Sequence, residues 1–190
     1  MSHKFSVKDK NKLDNPERRK LLPPEATLEK LHLRKGDIVA DVGCGIGYFS
    51  IPASVIVGET GKVYAMDLSA EMLSEVHERA RQSKIANIEI VKTLENSLIV
   101  NDESVTYAFI CNVLHETNDL NSFLREIKRI LACDGKVAII EWEKKESHVG
   151  PPIHHRIDKT ELINTLKYME FQDVKEINFG DEFYGITGIK

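Results

Sequence analysis

The chain has 190 residues, enough for one domain with a sizeable core and at most a short N-terminal appendage. Its 42% hydrophobic and 29% charged residues are ordinary for a globular protein, and a net charge of −4 sets nucleic acid and membranes aside as partners. The apolar runs fall far short of the ~20 residues that span a bilayer.

The N-terminus shows no apolar block followed by a small-residue cleavage site, so no secretory signal is expected. Cys44, Cys111 and Cys133 include no C-x-x-C spacing, which argues against disulfides or a cysteine-held zinc and favours the reducing cytoplasm. Residues 1–24 are polar and basic, with Lys4, Lys8, Lys10, Lys12, Arg18, Arg19 and Lys20 against Asp9, Asp14 and Glu17. They end at Pro23-Pro24, which cannot propagate a helix. This stretch reads as an arm, either mobile or a lid over a ligand, ahead of a domain formed by residues 25–190.

Residues 25–33 carry Ala26, Leu28, Leu31 and Leu33 at the spacing of a short amphipathic helix ending before Gly36. A strand at 38–42 runs into glycines, and a helix to about 57 holds Pro52 near its first turn. A strand at 62–66 precedes a helix at 69–82, with Ser69 as N-cap and Met72, Leu73, Val76 and Ala80 on its apolar face. Strands at 88–91 and 105–111, a helix at 120–131 and a strand at 136–142 follow. Beyond a Gly-, Pro- and His-rich loop come a helix at 158–169 and strands at 174–179 and 183–189. Such alternation makes a mostly parallel sheet covered on both faces. The last two strands are joined only through Gly180-Asp-Glu182, too short for a parallel crossover, so they pair antiparallel.

In such sheets ligands sit beyond the carboxyl ends of the strands. The turn Asp41-Val-Gly-Cys-Gly-Ile-Gly47 departs from the dinucleotide pattern G-x-G-x-x-G, because Tyr48 stands where the third glycine belongs. Asp41 would repel a diphosphate and suits a ligand with ammonium and sulfonium groups. Asp67, twenty residues after Gly47, closes the second strand, where a carboxylate accepts hydrogen bonds from a ribose diol; a charge ahead of the helix capped by Ser69 is its plainer role.

These two motifs, with Asn112-Val-Leu-His115 and Arg129-Ile-Leu-Ala-Cys-Asp-Gly135, resemble the class I S-adenosylmethionine-dependent methyltransferases over residues 36–142. Within that class the chain is similar to the methyltransferase type 11 and ubiquinone/menaquinone-biosynthesis group. The resemblance implies a three-layer Rossmann-like α/β fold with seven strands in the order 3-2-1-4-5-7-6, strand 7 antiparallel. It implies S-adenosylmethionine as cofactor, with Gly43, Gly45 and Gly47 against its methionine and ribose portions and Asp41 at its amino acid end. Asp67 would take the ribose hydroxyls, Leu68 one face of the adenine, and Asn112 a place near the carboxylate or sulfonium. Two departures stand out. Leu94 holds the third-strand position that usually carries an Asp for the adenine amine, leaving Glu95 or Asn96 beside it to stand in, and Ala132-Cys-Asp-Gly135 replaces the usual Lys-Pro-Gly-Gly turn.

Methyl transfer needs an aligned acceptor and sometimes a base. His115, after the fourth strand, is the candidate base, although a histidine there also suits a pocket wall or a helix cap. His154, His155 and Arg156 are candidate substrate contacts, with Arg156 a clamp for a carboxylate or phosphate, or else the ion-pair partner of a surface turn. His115, His148, His154 and His155 are not spaced to hold a metal, and none is expected. Arsenite-type chemistry is disfavoured because Cys44 is committed to the glycine turn and Cys133 to a distant loop. The leading expectation is methyl transfer to a small molecule. The alternatives are a non-catalytic S-adenosylmethionine sensor and a nicotinamide-linked oxidoreductase, the latter disfavoured by Tyr48 and Asp41.

Overall fold

Strands and helices alternate from Ile38 onward in the computed structural model, which describes residues 13–190. Residues 1–12 of the basic arm lie outside the described residues. The rest of the arm is not structureless: Pro16–Leu21 forms a short helix, α1. Asn15 caps it by accepting a 2.9 Å bond from the Arg18 amide, and Pro16 opens it where no amide hydrogen is needed. Pro24 similarly opens a second helix, α2 (Pro24–Lys30), so the proline pair separates two helices. Leu22, Leu28 and Leu31 are fully buried, and each contributes about 1.5–3 kcal/mol by leaving water. The Tyr48 hydroxyl donates to the Leu22 carbonyl at 2.8 Å and Tyr107 to that of Leu31 at 3.1 Å, tying both helices down.

The remaining elements are β1 (Ile38–Val42), α3 (Ser50–Val57), β2 (Lys62–Asp67), α4 (Ala70–Gln82), β3 (Ile88–Lys92), β4 (Val105–Cys111), α5 (Leu120–Ile130), β5 (Leu131–Trp142), α6 (Lys159–Tyr168), β6 (Gln172–Phe179) and β7 (Phe183–Ile189). They form one sheet in the order β3-β2-β1-β4-β5-β7-β6. The first five strands pair in parallel, while β7 runs antiparallel to β5 and β6. Both the expected order and the closing hairpin are therefore present. The largest boundary difference is in β5, which begins at Leu131, paired with Val105, before the pairing lapses and resumes at Tyr107 with Lys136.

Alternate strand residues feed two cores. Ala40, Ala108, Ile110, Val137 and Ile139 pack with Phe123, Leu124 and Ile127 of α5 and Leu162 and Leu166 of α6. Val39, Val63, Phe109 and Ile140 pack with α2 and α3 on the other face, where α4 adds Leu73 and Val76 against Ala65. With both faces covered, only the strand ends are free to build a site.

Candidate active site

The chain passes from β1 outward to β2 and β3, then returns to place β4 on the other side of β1. That reversal opens a crevice at the carboxyl ends of β1 and β4. A cavity of about 1070 Å³ occupies it, at the upper end of the ~300–1,000 Å³ of small-molecule clefts and roomy enough for a cofactor with an acceptor beside it.

Asp41, Gly43, Gly45, Asp67, Leu68, Leu94, Glu95 and Asn112 all line this cavity. Gly43 has φ +73°, and a β-carbon there would lie 2.3 Å from Val113 Cγ2, so only glycine lets the turn pass under the residues after β4. Asp67 holds the turn: its carboxylate accepts from the Gly45 amide at 2.9 Å and the Ser69 amide at 2.8 Å. Gly47 stands elsewhere. It is not among the lining residues, and a β-carbon there would meet Val76 of α4 at 3.3 Å, so it makes room for a helix.

Asp41 is buried and accepts a 2.5 Å hydrogen bond from the Ser50 hydroxyl. Burial pushes its pKa up to about 7, with the Asp67 charge adding and Ser50 and Arg18 opposing. Asn112 has φ +58°, and its buried Oδ1 has no hydrogen-bond partner. An orphaned acceptor at the end of a strand, facing a ligand-sized cavity, is suited to an incoming cation or N–H donor. Leu68 and Leu94 are 40% and 63% exposed, an apolar pair at the rim, while Glu95 accepts a hydrogen bond from Asn118.

His115 follows β4 in a 3₁₀ turn, Leu114–Glu116. Its Nδ1 lies 2.8 Å from Oε2 of Glu141, a fully buried carboxylate on β5. The other Glu141 oxygen accepts from the Leu114 amide at 2.8 Å. The bond to a carboxylate fixes the proton on Nδ1 and leaves Nε2 as the ring's acceptor. Burial works against the charged ring, but the bond and charge of Glu141, with Glu116 adding, outweigh it and raise the His115 pKa above its usual value. Glu141 was not singled out from the sequence, although a carboxylate at the end of the apolar run Val137-Ala-Ile-Ile140 was a visible signal.

The loop 143–156 supplies another wall, with His148, Pro151, Pro152 and His155 among its lining residues. His154 is exposed and does not line the cavity. Arg156 corrects the expected substrate clamp: it is 3% exposed, and all five guanidinium hydrogens are used within the loop. They go to the carbonyls of Pro151, Glu143, Lys145 and Val149 and to the Ser147 hydroxyl, at 2.7–3.0 Å. Arg156 therefore shapes the wall and has no donor left for a ligand. Among the described residues no group of three or more His, Cys, Asp or Glu is placed to hold a metal. Burial raises the thiols of Cys44 and Cys111, the latter to about 12, so neither is a ready nucleophile at neutral pH.

Residues 24–153 match the ubiE/COQ5 methyltransferase family. Among curated proteins the chain is 32% identical over 115 residues to a demethylmenaquinone methyltransferase of Oceanobacillus iheyensis, covering 60% of this chain and 48% of that one. A demethylmenaquinone methyltransferase of Geobacillus sp. is 28% identical over 124 residues, covering 65% and 53%. The chain thus spans about half the length of the curated relatives it matches. Among solved structures, a SAM-dependent methyltransferase from Aquifex aeolicus superposes with a TM-score of 0.92 at 33% identity, covering 98% of this chain and 99% of that one.

Proposed function

The chain belongs to the ubiE/COQ5 methyltransferase family, and from that premise we propose that it transfers a methyl group from S-adenosylmethionine to a small-molecule acceptor in the cavity beyond β1 and β4. The observation that carries the reading is a shared enclosure. The glycine turn, Asp67 and Asn112 line the same cavity as a histidine braced by a buried carboxylate. A module that only senses the cofactor has no use for such a histidine.

Bound S-adenosylmethionine supplies an electrophilic methyl group on a sulfonium; the residues of this chain bind, orient and move a proton. Asp67, already fixed by two amides, offers its remaining lone pairs to the ribose diol. Leu68 and Leu94 would flank the adenine, with Glu95 near its amine. Gly43 and Gly45 would bring bare backbone against the ribose and methionine portions, and Gly47 contributes only through the shape of the turn. The Asn112 Oδ1 and the Asp41 carboxylate would receive the ammonium.

His115 Nε2 takes a proton from the acceptor as it attacks, and Glu141 positions the ring and stabilises its charged form. The acceptor stands against Trp142 and Phe183, whose rings lie 4.3 Å apart, and under the loop that Arg156 holds. An apolar, planar acceptor with an ionisable hydroxyl fits those walls, with His155 at its edge. Demethylmenaquinone, named in the curated relatives, heads the compounds to assay. No helix among the described residues is long and apolar enough to cross a membrane. The free cysteines, Cys133 exposed among them, suit a reducing compartment, and we place the protein in the cytoplasm.

Calorimetric titration with S-adenosylmethionine, S-adenosylhomocysteine and NAD tests the core of this reading, on the wild type and Asp67→Ala. Micromolar binding of both adenosyl ligands, lost in the variant, is expected. Binding of NAD alone, or of none of the three, would overturn it.

A further inference from the structure

Arg18 lies outside the family-matched residues 24–153, yet its side chain lines the cavity. The guanidinium carbon sits 4.7 Å from the centre of the Tyr48 ring and 6.0 Å from that of Phe49. Its Nε is buried and makes no hydrogen bond. No carboxylate among the described residues forms a salt bridge with it; its charge acts on Asp41, and its one polar side-chain neighbour of note is the weakly accepting Cys111 thiol. A half-buried cation stacked on aromatic rings, with one idle buried donor, is left partly uncompensated by the protein's own groups.

The other orphan in the same cavity is of opposite character. Asn112 Oδ1, directly after Cys111, is a buried acceptor without a donor. One unsatisfied acceptor and one unsatisfied cation near the end of β4 are complementary to a zwitterionic α-amino acid. The ammonium goes to Asn112 and the carboxylate to the guanidinium, whose planar fork matches two carboxylate oxygens.

We infer that Arg18 binds the carboxylate of the cofactor's amino acid end, which makes α1 a working part of the binding site. This rests on the cofactor reading above. α1 is held over the glycine turn by further contacts. Asp14 bridges Arg19 at 2.6 Å and Arg79 of α4 at 3.0 Å. The Leu13 side chain lies 3.1 Å from where a Gly45 β-carbon would stand. Residues 13–21 thus close one side of the cavity with a cation aimed at an anionic ligand group.

The test compares two ligands on two proteins by calorimetry: S-adenosylhomocysteine, and its decarboxylated analogue that keeps the ammonium and lacks only the carboxylate. The proteins are the wild type and Arg18→Met, which preserves the apolar stem. The expected result is a loss of about tenfold or more for S-adenosylhomocysteine in the variant, with the analogue binding both proteins equally. Arg18→Lys, keeping the charge but not the fork, should recover part of the loss. Equal weakening of both ligands would make Arg18 a structural strut, and no weakening of either would leave the carboxylate to another group; both results overturn the inference. Failure of the wild type to bind S-adenosylhomocysteine would instead sink the cofactor reading itself.

Discussion

At the scale of single residues, the histidine and its carboxylate are separated by 26 positions in the chain and by 2.8 Å in space. If His115 is the base proposed above, His115→Asn should lower turnover by about 10²–10⁴ while leaving S-adenosylhomocysteine affinity within about twofold, because it would remove the proton acceptor and not the groups proposed to hold the cofactor. Glu141→Gln acts differently. The amide oxygen can accept from His115 Nδ1 or from the Leu114 amide, but not from both, and it carries no charge to favour the imidazolium. Burial then dominates, the ring's pKa falls, and the acid limb of kcat against pH should move to lower pH as the maximal rate drops. An unmoved acid limb in Glu141→Gln would refute the pairing as the origin of the pH dependence. His115 was legible in the sequence because it follows a strand on the ligand side of the sheet. Its partner was hidden, because nothing local says which strand end will lie beside it.

At the scale of elements, the strands and long helices were legible from Ile38 onward, because apolar periods of two and about four report burial directly. α1 was not, since six residues without a buried side chain give no period and only the Asn15-Pro16 cap betrays it. The loop after β5 shows the opposite failure. Its composition marked it as a loop at the ligand end of the sheet, and it does line the cavity, but the notion of Arg156 as a clamp took no account of where the loop's own carbonyls would find donors. Five bonds from one guanidinium satisfy four carbonyls and a hydroxyl, a geometry that lysine, with three donors, cannot reproduce. Arg156→Lys should therefore leave cofactor affinity unchanged, raise KM for the acceptor by about tenfold or more, and expose residues 143–156 to protease. A variant with native proteolysis and altered cofactor binding would show that the residue acts on the ligand after all.

At the scale of the whole molecule, the strand order gathers acidic groups from β1, β2 and β5 at one end of the sheet, and this has a cost in stability. Asp41 keeps its proton up to about pH 7 in the folded protein, against an ordinary value of 3.8. Between those values the native state binds a proton that the unfolded chain does not. Its contribution to stability is therefore complete below about pH 4 and is lost as pH rises to about 7. His115, also raised, adds a loss of the same sign beginning near 6.5. Carboxylates held low, such as Glu126 by its bonds to Arg129, have the opposite slope and cancel when a variant is compared with the wild type. Asp41→Asn mimics the protonated acid and keeps an acceptor for Ser50. Urea titrations at pH 4.5, 6 and 7.5 should show this variant gaining on the wild type by on the order of 2–4 kcal/mol across the range. The gain should come with weaker S-adenosylmethionine binding. Conversely, saturating S-adenosylmethionine should flatten the slope of the wild type, since a cation beside Asp41 favours its charged form. Parallel stability curves for the two proteins would mean that Asp41 is already ionised in the empty site, and that its burial is compensated by groups other than the ligand.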